Sequence, residues 1–408
     1  MSDPDPTTGL IPTAESDDTP YSFQLLLSTV SLIVRVPAWL FFSLPPFRPR
    51  KTWNWKKAFN VQLIRHILTS PRRGGTNHKA LATDIPPECT AVWIKGVDES
   101  LIQGDLTKYV SKAGVKPLPR LPGYWRHLSG QGRLLGSSPP INAEEKVILF
   151  FHGGAYVSLS AAPNDPTQGI TRGTLSFVAK QSLNLQRILS VEYRLTTLTS
   201  PPSNPFPTAL LDALSGYSYL INEVGFNPSN IIVMGDSAGG NLALALVRYL
   251  VKTPSTGLKP PGGLILHSPW SDMGISHRGP GTSIAEFVHS DYLSGEGDGP
   301  ARAFTSPWGF EAIADSDPYF SPASLSLLKD EVKGMFDGFP KTFITAGGAE
   351  RILDSIKTLD ARMAADLGRE NVTYFQGLDA VHDFTVFPWA EPERSQALDA
   401  IAHWFANL

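Results

Sequence analysis

The run Ile231-Ile232-Val233-Met234-Gly235-Asp236-Ser237-Ala238-Gly239-Gly240 decides how the chain is read. Four apolar residues, three of them β-branched, suit a buried strand. The stretch 238–251 beyond them has the composition of a helix. Between the two stands G-x-S-x-G, with Ser237 at its centre. In a strand–turn–helix setting this motif lifts a serine off a sheet on a strained turn. Glycine on both flanks lets the backbone bend and keeps the helix close to the strand. Ser237 is therefore the candidate nucleophile, and the next amide, that of Ala238, points at the same spot.

Outward from this turn the same rhythm repeats. Short apolar, β-rich runs stand at 147–151, 187–191, 231–234, 263–267, 342–345 and 372–375. Helix-like runs at 208–223, 238–251, 355–367 and 393–406 alternate with them. Apolar strands alternating with helices indicate an α/β fold with a mostly parallel sheet covered on both faces. Residues 273–338, rich in Gly, Pro, Ser and Asp, break the rhythm and read as an insertion at the strand ends. Its Gly-rich part, 294–300, is a candidate lid.

A hydroxyl nucleophile needs a base and an oxyanion site. His152-Gly153-Gly154-Ala155-Tyr156 follows the strand 147–151 directly, and small residues at a strand end leave backbone amides facing outward. The amides of Gly153, Gly154 and Ala155, with that of Ala238, are the candidate oxyanion donors. Ala155 serves this role if its φ is negative. Nine histidines are available, and in a Ser-acid-His chain order the base comes last. His382 lies in the loop between the last strand and the terminal helix. His403 falls inside that helix and reads as packing, and His152 as a holder of the oxyanion turn. The orienting acid follows the strand 342–345, where Glu350 is the first carboxylate and Asp354 the second. A helix starting near 352 carries Asp354 away from the strand end, which favours Glu350. A glutamate suffices, since the task is to hold the imidazole and stabilise its cation.

Composition excludes several other classes. The 408 residues carry 35 Lys and Arg against 38 Asp and Glu, and this balance argues against a nucleic-acid partner. With 42% hydrophobic residues the chain can bury a large core. The single cysteine, Cys89, rules out an internal disulfide and a cysteine-based metal site, and favours a reducing compartment. Neither a metal nor a cofactor is called for.

The N-terminal third is less regular. Residues 1–20 are acidic and Pro-rich and read as a disordered tail. Residues 23–44 are mostly apolar and long enough to cross a bilayer, though Arg35 and Pro37 interrupt them. Three readings compete: a membrane anchor, a buried helix over the active site, and a helix lying in a membrane interface. Basic residues follow the segment and acidic ones precede it. A spanning anchor therefore leaves the bulk of the protein in the cytosol, tethered to an intracellular membrane such as the endoplasmic reticulum. Without an anchor the expected location is the cytoplasm.

These motifs together resemble the hormone-sensitive-lipase-like branch of the α/β-hydrolases, which includes arylacetamide deacetylases and steryl acetyl hydrolases. The resemblance rests on His152-Gly153-Gly154-Ala155-Tyr156, Tyr193-Arg194-Leu195 with Phe206-Pro207, Gly235-Asp236-Ser237-Ala238-Gly239-Gly240, Glu350 and Asp354, and His382-Asp383-Phe384. Their order and spacing agree with the family over about residues 140–408. Two positions depart: Ala155 replaces a glycine, and Glu350 stands where the family usually has aspartate. The resemblance implies an α/β-hydrolase fold over 139–408, with a cap built from the N-terminal segment 21–138 and the insertion 273–338. It implies a serine esterase acting through an acyl-enzyme on short-to-medium acyl esters, such as acetyl esters, of a hydrophobic alcohol. An amide deacetylase or acyltransferase on the same triad, and a catalytically silent ligand-binding protein of this fold, are the alternatives. The oligomeric state is left open.

Overall fold

A computed structural model of the chain describes residues 21–69, 81–128, 136–181, 184–293 and 298–408. The tail 1–20 and residues 294–297 of the candidate lid lie outside them.

The core is one eight-stranded sheet. Its strands are β1 (Cys89–Lys95), β2 (Arg120–His127), β3 (Lys146–Phe151), β4 (Leu185–Val191), β5 (Ile231–Asp236), β6 (Gly263–His267), β7 (Thr342–Gly347) and β8 (Val372–Gly377). They lie in the order β1-β2-β4-β3-β5-β6-β7-β8. The pairs β1–β2 and β2–β4 are antiparallel, and the others are parallel. The six runs read as strands from the sequence are β3 to β8. The two antiparallel strands come from 89–127, within the segment that the sequence assigned to the cap. Arg120–His127 contains Pro122 and Gly123, which mask a strand in the text. Its pairing with β1 on one side and β4 on the other supplies what propensity does not.

Successive strand residues point to opposite faces, and the core divides accordingly. Val147, Leu149, Phe151, Ile231 and Val233 join one buried cluster, with Leu210, Leu214, Leu242 and Leu246. The last four lie on α5 (Thr208–Tyr219) and α6 (Ala238–Lys252). Ile148, Phe150, Ile232, Met234 and Ile265 join the other, with Ile170, Val178, Ile401 and Phe405. These belong to α4 (Gln168–Lys180) and α12 (Glu393–Ala406). α11 (Leu353–Leu367) adds Ile356, Leu359 and Met363 to the first cluster. The insertion carries four short helices, α7 (Ser283–Glu286), α8 (Gly299–Phe304), α9 (Phe310–Ile313) and α10 (Lys329–Val332). A small helix, α3 (Asp105–Ala113), connects β1 to β2.

Two helices precede the sheet, α1 (Tyr21–Phe42) and α2 (Trp55–Thr69). α1 is not a buried helix over the active site, because Ile33 and Val34 are 74% and 76% exposed. Among the described residues, no helix is long and apolar enough to cross a membrane. The part of the N-terminal region that reaches the site is 50–65. Trp53, Ala58 and Val61 form a buried cluster with Tyr292, Ala349, Ala380, Val381 and Phe384.

Cys89 opens β1 and is buried, and burial pushes its thiol up to about 11. It is a core residue and no nucleophile at neutral pH.

Candidate active site

The carboxyl ends of the central strands are level. Phe151 pairs with Gly235, Asp236 with His267, His267 with Thr345, and Gly347 with Gly377. Loops leaving this edge meet one another, and the predicted site residues sit on them.

β5 ends at Asp236 and α6 starts at Ala238, so Ser237 is the single residue between strand and helix. Its φ of 49° and ψ of −115° are costly for any residue with a Cβ. Its N–H donates to the His267 carbonyl at 2.9 Å, and its carbonyl accepts from the N–H groups of Asn241 at 3.1 Å and Trp270 at 2.9 Å. These bonds hold the strained turn. A Cβ on Gly235 would lie 2.2 Å from the Gly239 oxygen, and one on Gly239 2.1 Å from the Phe151 oxygen. The glycines are thus required by close approach, and the strained dihedral falls on the serine itself.

β7 ends at Gly347, and its amide donates to Glu350 Oε1 at 2.7 Å. The other oxygen, Oε2, accepts from His382 Nδ1 at 2.8 Å, with both side chains buried. Burial raises the Glu350 carboxyl to about 7, more than the histidine contact lowers it. Asp354 is placed elsewhere. It lies in the first turn of α11, where its Oδ2 accepts from the Ser283 N–H at 2.7 Å, and its own N–H donates to Ser283 Oγ at 3.0 Å. It ties the insertion to α11, while Glu350 meets the histidine.

The far ring nitrogen of His382, Nε2, lies 3.1 Å from Asp383 Oδ2. Asp383 adopts φ 46°, ψ 37°, and its N–H donates to Ser268 Oγ at 3.1 Å. Burial alone would lower the His382 pKa. The charge and hydrogen bond of Asp383, then those of Glu350, raise it well above the ordinary value. Asp236, beside Ser237, is fully buried. Burial raises its carboxyl well above the usual range, the Asp383 charge adds to this, and a hydrogen bond from the Gly153 amide opposes it.

That hydrogen bond bears on the oxyanion turn. The Gly153 N–H is directed to Asp236, and a Cβ on Gly153 would sit 2.5 Å from Asp236 Oδ2. Gly154, Ala155 and Tyr156 have φ of 108°, 54° and 63°. The condition of a negative φ at Ala155 is therefore not met: this alanine stands in a left-handed conformation that favours glycine. The turn is fastened by His152, whose Nδ1 lies 2.7 Å from the Gly153 oxygen and whose carbonyl accepts from the Tyr193 hydroxyl at 2.6 Å. Its ring stacks on Tyr193 with centroids 4.3 Å apart. Tyr156 reaches across to α6, donating to Asn241 Oδ1 at 2.8 Å.

Two acids around His382 went unassigned in the sequence reading. Asp383 adjoins the histidine, but nothing in His-Asp-Phe says that its carboxylate turns back onto the ring. Asp291 lies in the insertion, fully buried. It accepts from the Tyr292 and His382 N–H groups on Oδ1 and from the Arg351 N–H on Oδ2. No spacing links it to the triad. Among the nearby aromatics, Tyr292 sits with its ring 5.8 Å from that of His382. Trp308 packs with Tyr109, Phe206 and Phe320. Trp125 is a core residue beneath Arg187.

The likeness to known proteins covers the same region. A model of the α/β-hydrolase fold family matches residues 148–386. The chain is 28% identical over 271 residues to an esterase of Mycobacterium tuberculosis, LipU, covering 65% of this chain and 79% of that protein. It is 26% identical over 262 residues to an acetyl-hydrolase of Streptomyces hygroscopicus, covering 64% and 75%. Among solved structures, an esterase from the bacterial hormone-sensitive lipase family superposes with a TM-score of 0.58 at 21% identity, covering 87% of this chain and 99% of that one. With the family match spanning more than half the chain, and with the sheet and nucleophile turn already described, the chain belongs to the α/β-hydrolase family and is a hydrolase.

Proposed function

We propose that this protein hydrolyses carboxylic esters through an acyl-enzyme on Ser237, acting on short-to-medium acyl esters, such as acetyl esters, of a hydrophobic alcohol. The observation that carries the reading is the buried 2.8 Å contact between Glu350 and His382, on loops of the same sheet edge as the strained Ser237. Relatives named as esterase and acetyl-hydrolase support the ester and acetyl assignments.

In this mechanism Asp383 turns off Nε2, and His382 in its neutral form takes the Ser237 hydroxyl proton as the oxygen attacks the ester carbonyl. Glu350 holds the ring by Nδ1 and stabilises the imidazolium. The amides of Gly154, Ala155 and Ala238 receive the oxyanion. Gly153, whose amide serves Asp236, organises the turn. His382 returns the proton to the leaving alcohol, the C–O bond breaks, and the acyl group stays on Ser237. Water then attacks the acyl carbon, gives its proton to His382, and releases the acid as that proton returns to Ser237.

The test is hydrolysis of p-nitrophenyl acetate and butyrate by the wild type and by Ser237→Ala, with fluorophosphonate labelling of both. The expected result is wild-type turnover and labelling, both abolished by the substitution. Full activity in Ser237→Ala overturns the assignment. Faster cleavage of the matching anilide, or transfer to an added alcohol in preference to water, moves the function to a deacetylase or an acyltransferase.

A further inference from the structure

α1 is turned inside out for a helix on a globular protein. Its exposed apolar residues, Phe23, Leu26, Leu27, Val30, Ile33, Val34 and Phe41, recur at three- and four-residue intervals and form one stripe. The opposite side meets α2 through Ser28 Oγ, 3.2 Å from His66 Nε2, and through Trp39, which packs on Phe59 and His66. The more apolar side therefore faces outward. At its end the helix meets exposed Phe42 and, beyond it, exposed Phe47, whose rings pack with Phe41. A contiguous apolar surface of this extent on a folded domain marks an interaction site.

Charge indicates what covers it. Residues 19–83 contain ten Lys and Arg and no Asp or Glu, in a chain with 35 basic and 38 acidic residues in all. The rest of the chain is correspondingly acidic, so the basic charge is concentrated on the segment that bears the apolar stripe. Arg35, Lys51 and Lys56 are exposed beside it. An exposed apolar helix face flanked by lysine and arginine, on a helix whose other side packs on α2, is the arrangement of a helix that lies in an anionic membrane surface. A second copy of this chain would bring the same basic segment against itself, which charge opposes.

The hairpin is fastened to the site. Arg50 donates to Ser290 Oγ at 3.1 Å, and Trp53 Nε1 to the Asp379 carbonyl at 2.7 Å, three residues before His382. Arg65 donates to the carbonyls of Val288 and Asp291. α2 and the loop carrying His382 therefore share one packed cluster, and α1 joins it through its contacts with α2.

We infer that α1 with its basic flank is a membrane-surface anchor: the stripe enters the outer part of an anionic phospholipid bilayer, and the lysines and arginines lie among the headgroups. The enzyme is thereby held at the membrane, where hydrophobic esters dissolve. The binding part of this inference stands whether or not the chain is an esterase.

The experiment is flotation of the full chain with phosphatidylcholine vesicles and with phosphatidylcholine–phosphatidylserine vesicles, at low and high salt, using both wild type and Ser237→Ala. The expected result is partition onto the anionic vesicles by both proteins, weakened by salt, with little on phosphatidylcholine alone. Lys51→Ser with Lys56→Ser weakens partition on the order of 25-fold. Ile33→Asp with Val34→Asp weakens it by roughly 100-fold or more while leaving p-nitrophenyl butyrate turnover and thermal midpoint unchanged, which shows that the variant is folded. No partition onto anionic vesicles, or equal partition onto both kinds, overturns the inference. So does a dimer in solution that Ile33→Asp dissociates, since a second copy is then the occupant.

Discussion

Nε2 of His382 lies 3.1 Å from the carboxylate of Asp383, the next residue in the chain, while Nδ1 is held by Glu350. The imidazole is clamped between two buried acids, and the nitrogen to which the proposed mechanism assigns the Ser237 proton is engaged by its neighbour. This arrangement favours the cationic ring. Asp236 and Asp291 are the other buried acids whose charges bear on this cluster. Because a base acts only when deprotonated, raising its pKa moves the acid limb of kcat/KM to higher pH.

Asp383→Asn removes the charge and keeps the shape. The His382 pKa falls, so the acid limb moves to lower pH and activity on the acid side rises relative to wild type. A kcat/KM–pH profile with p-nitrophenyl butyrate reads this directly. An unmoved limb means that Asp383 does not control the base.

Glu350→Gln leaves the ring without its charged partner. Loss of the corresponding acid in a Ser-His-acid triad drops kcat by about 10⁴-fold, and a loss of that order is expected here. Asp354→Asn keeps kcat within a few-fold and lowers the thermal midpoint, since Asp354 holds the insertion through Ser283. Steady-state kinetics and melting curves on the two variants separate the roles.

Gly239→Ala places a Cβ 2.1 Å from the Phe151 carbonyl, where backbone on both sides prevents relief. The expected cost is at least ~2 kcal/mol of stability. A chemical denaturation curve identical to wild type would count against the close approach of α6 and β3.

Acid weakens the fold through His267. Its ring is fully buried, and burial lowers its pKa from 6.5 to about 3. The unfolded chain takes up a proton at this residue below its ordinary pKa, and the folded chain does so only near 3. Stability from this residue is therefore complete above pH 6.5 and is lost as pH falls toward 3. At pH 5 the loss is about 2 kcal/mol. Denaturant midpoints measured from pH 7 to pH 4 isolate this residue by difference: the wild type should lose stability relative to His267→Gln steadily over that range.

Much of the architecture was legible because it is local. The runs at 147–151 and 231–234 alternate faces residue by residue, and their partners in the two core clusters follow from that period alone. Gly235 and Gly239 flag a close approach, and His382 is the one histidine in the loop after the last strand. The strands at 89–95 and 120–127 were not legible. Pro122 and Gly123 carry no strand preference, and only pairing with β1 and β4 makes them a strand.

The sequence by itself determined the six parallel strands, the strand–turn–helix at Ser237, and His382 as the candidate base. Each depends on periodicity or on a short motif whose geometry is set within a few residues. Tertiary structure alone decided that Glu350 rather than Asp354 meets His382, that Asp383 occupies the other side of the ring, and that Ala155 is held left-handed. It also decided that the apolar face of α1 is turned outward rather than buried over the site. Those outcomes depend on where β7, the last loop and the N-terminal hairpin come to rest against one another. Such contacts join residues far apart in the chain, and local preference does not encode them.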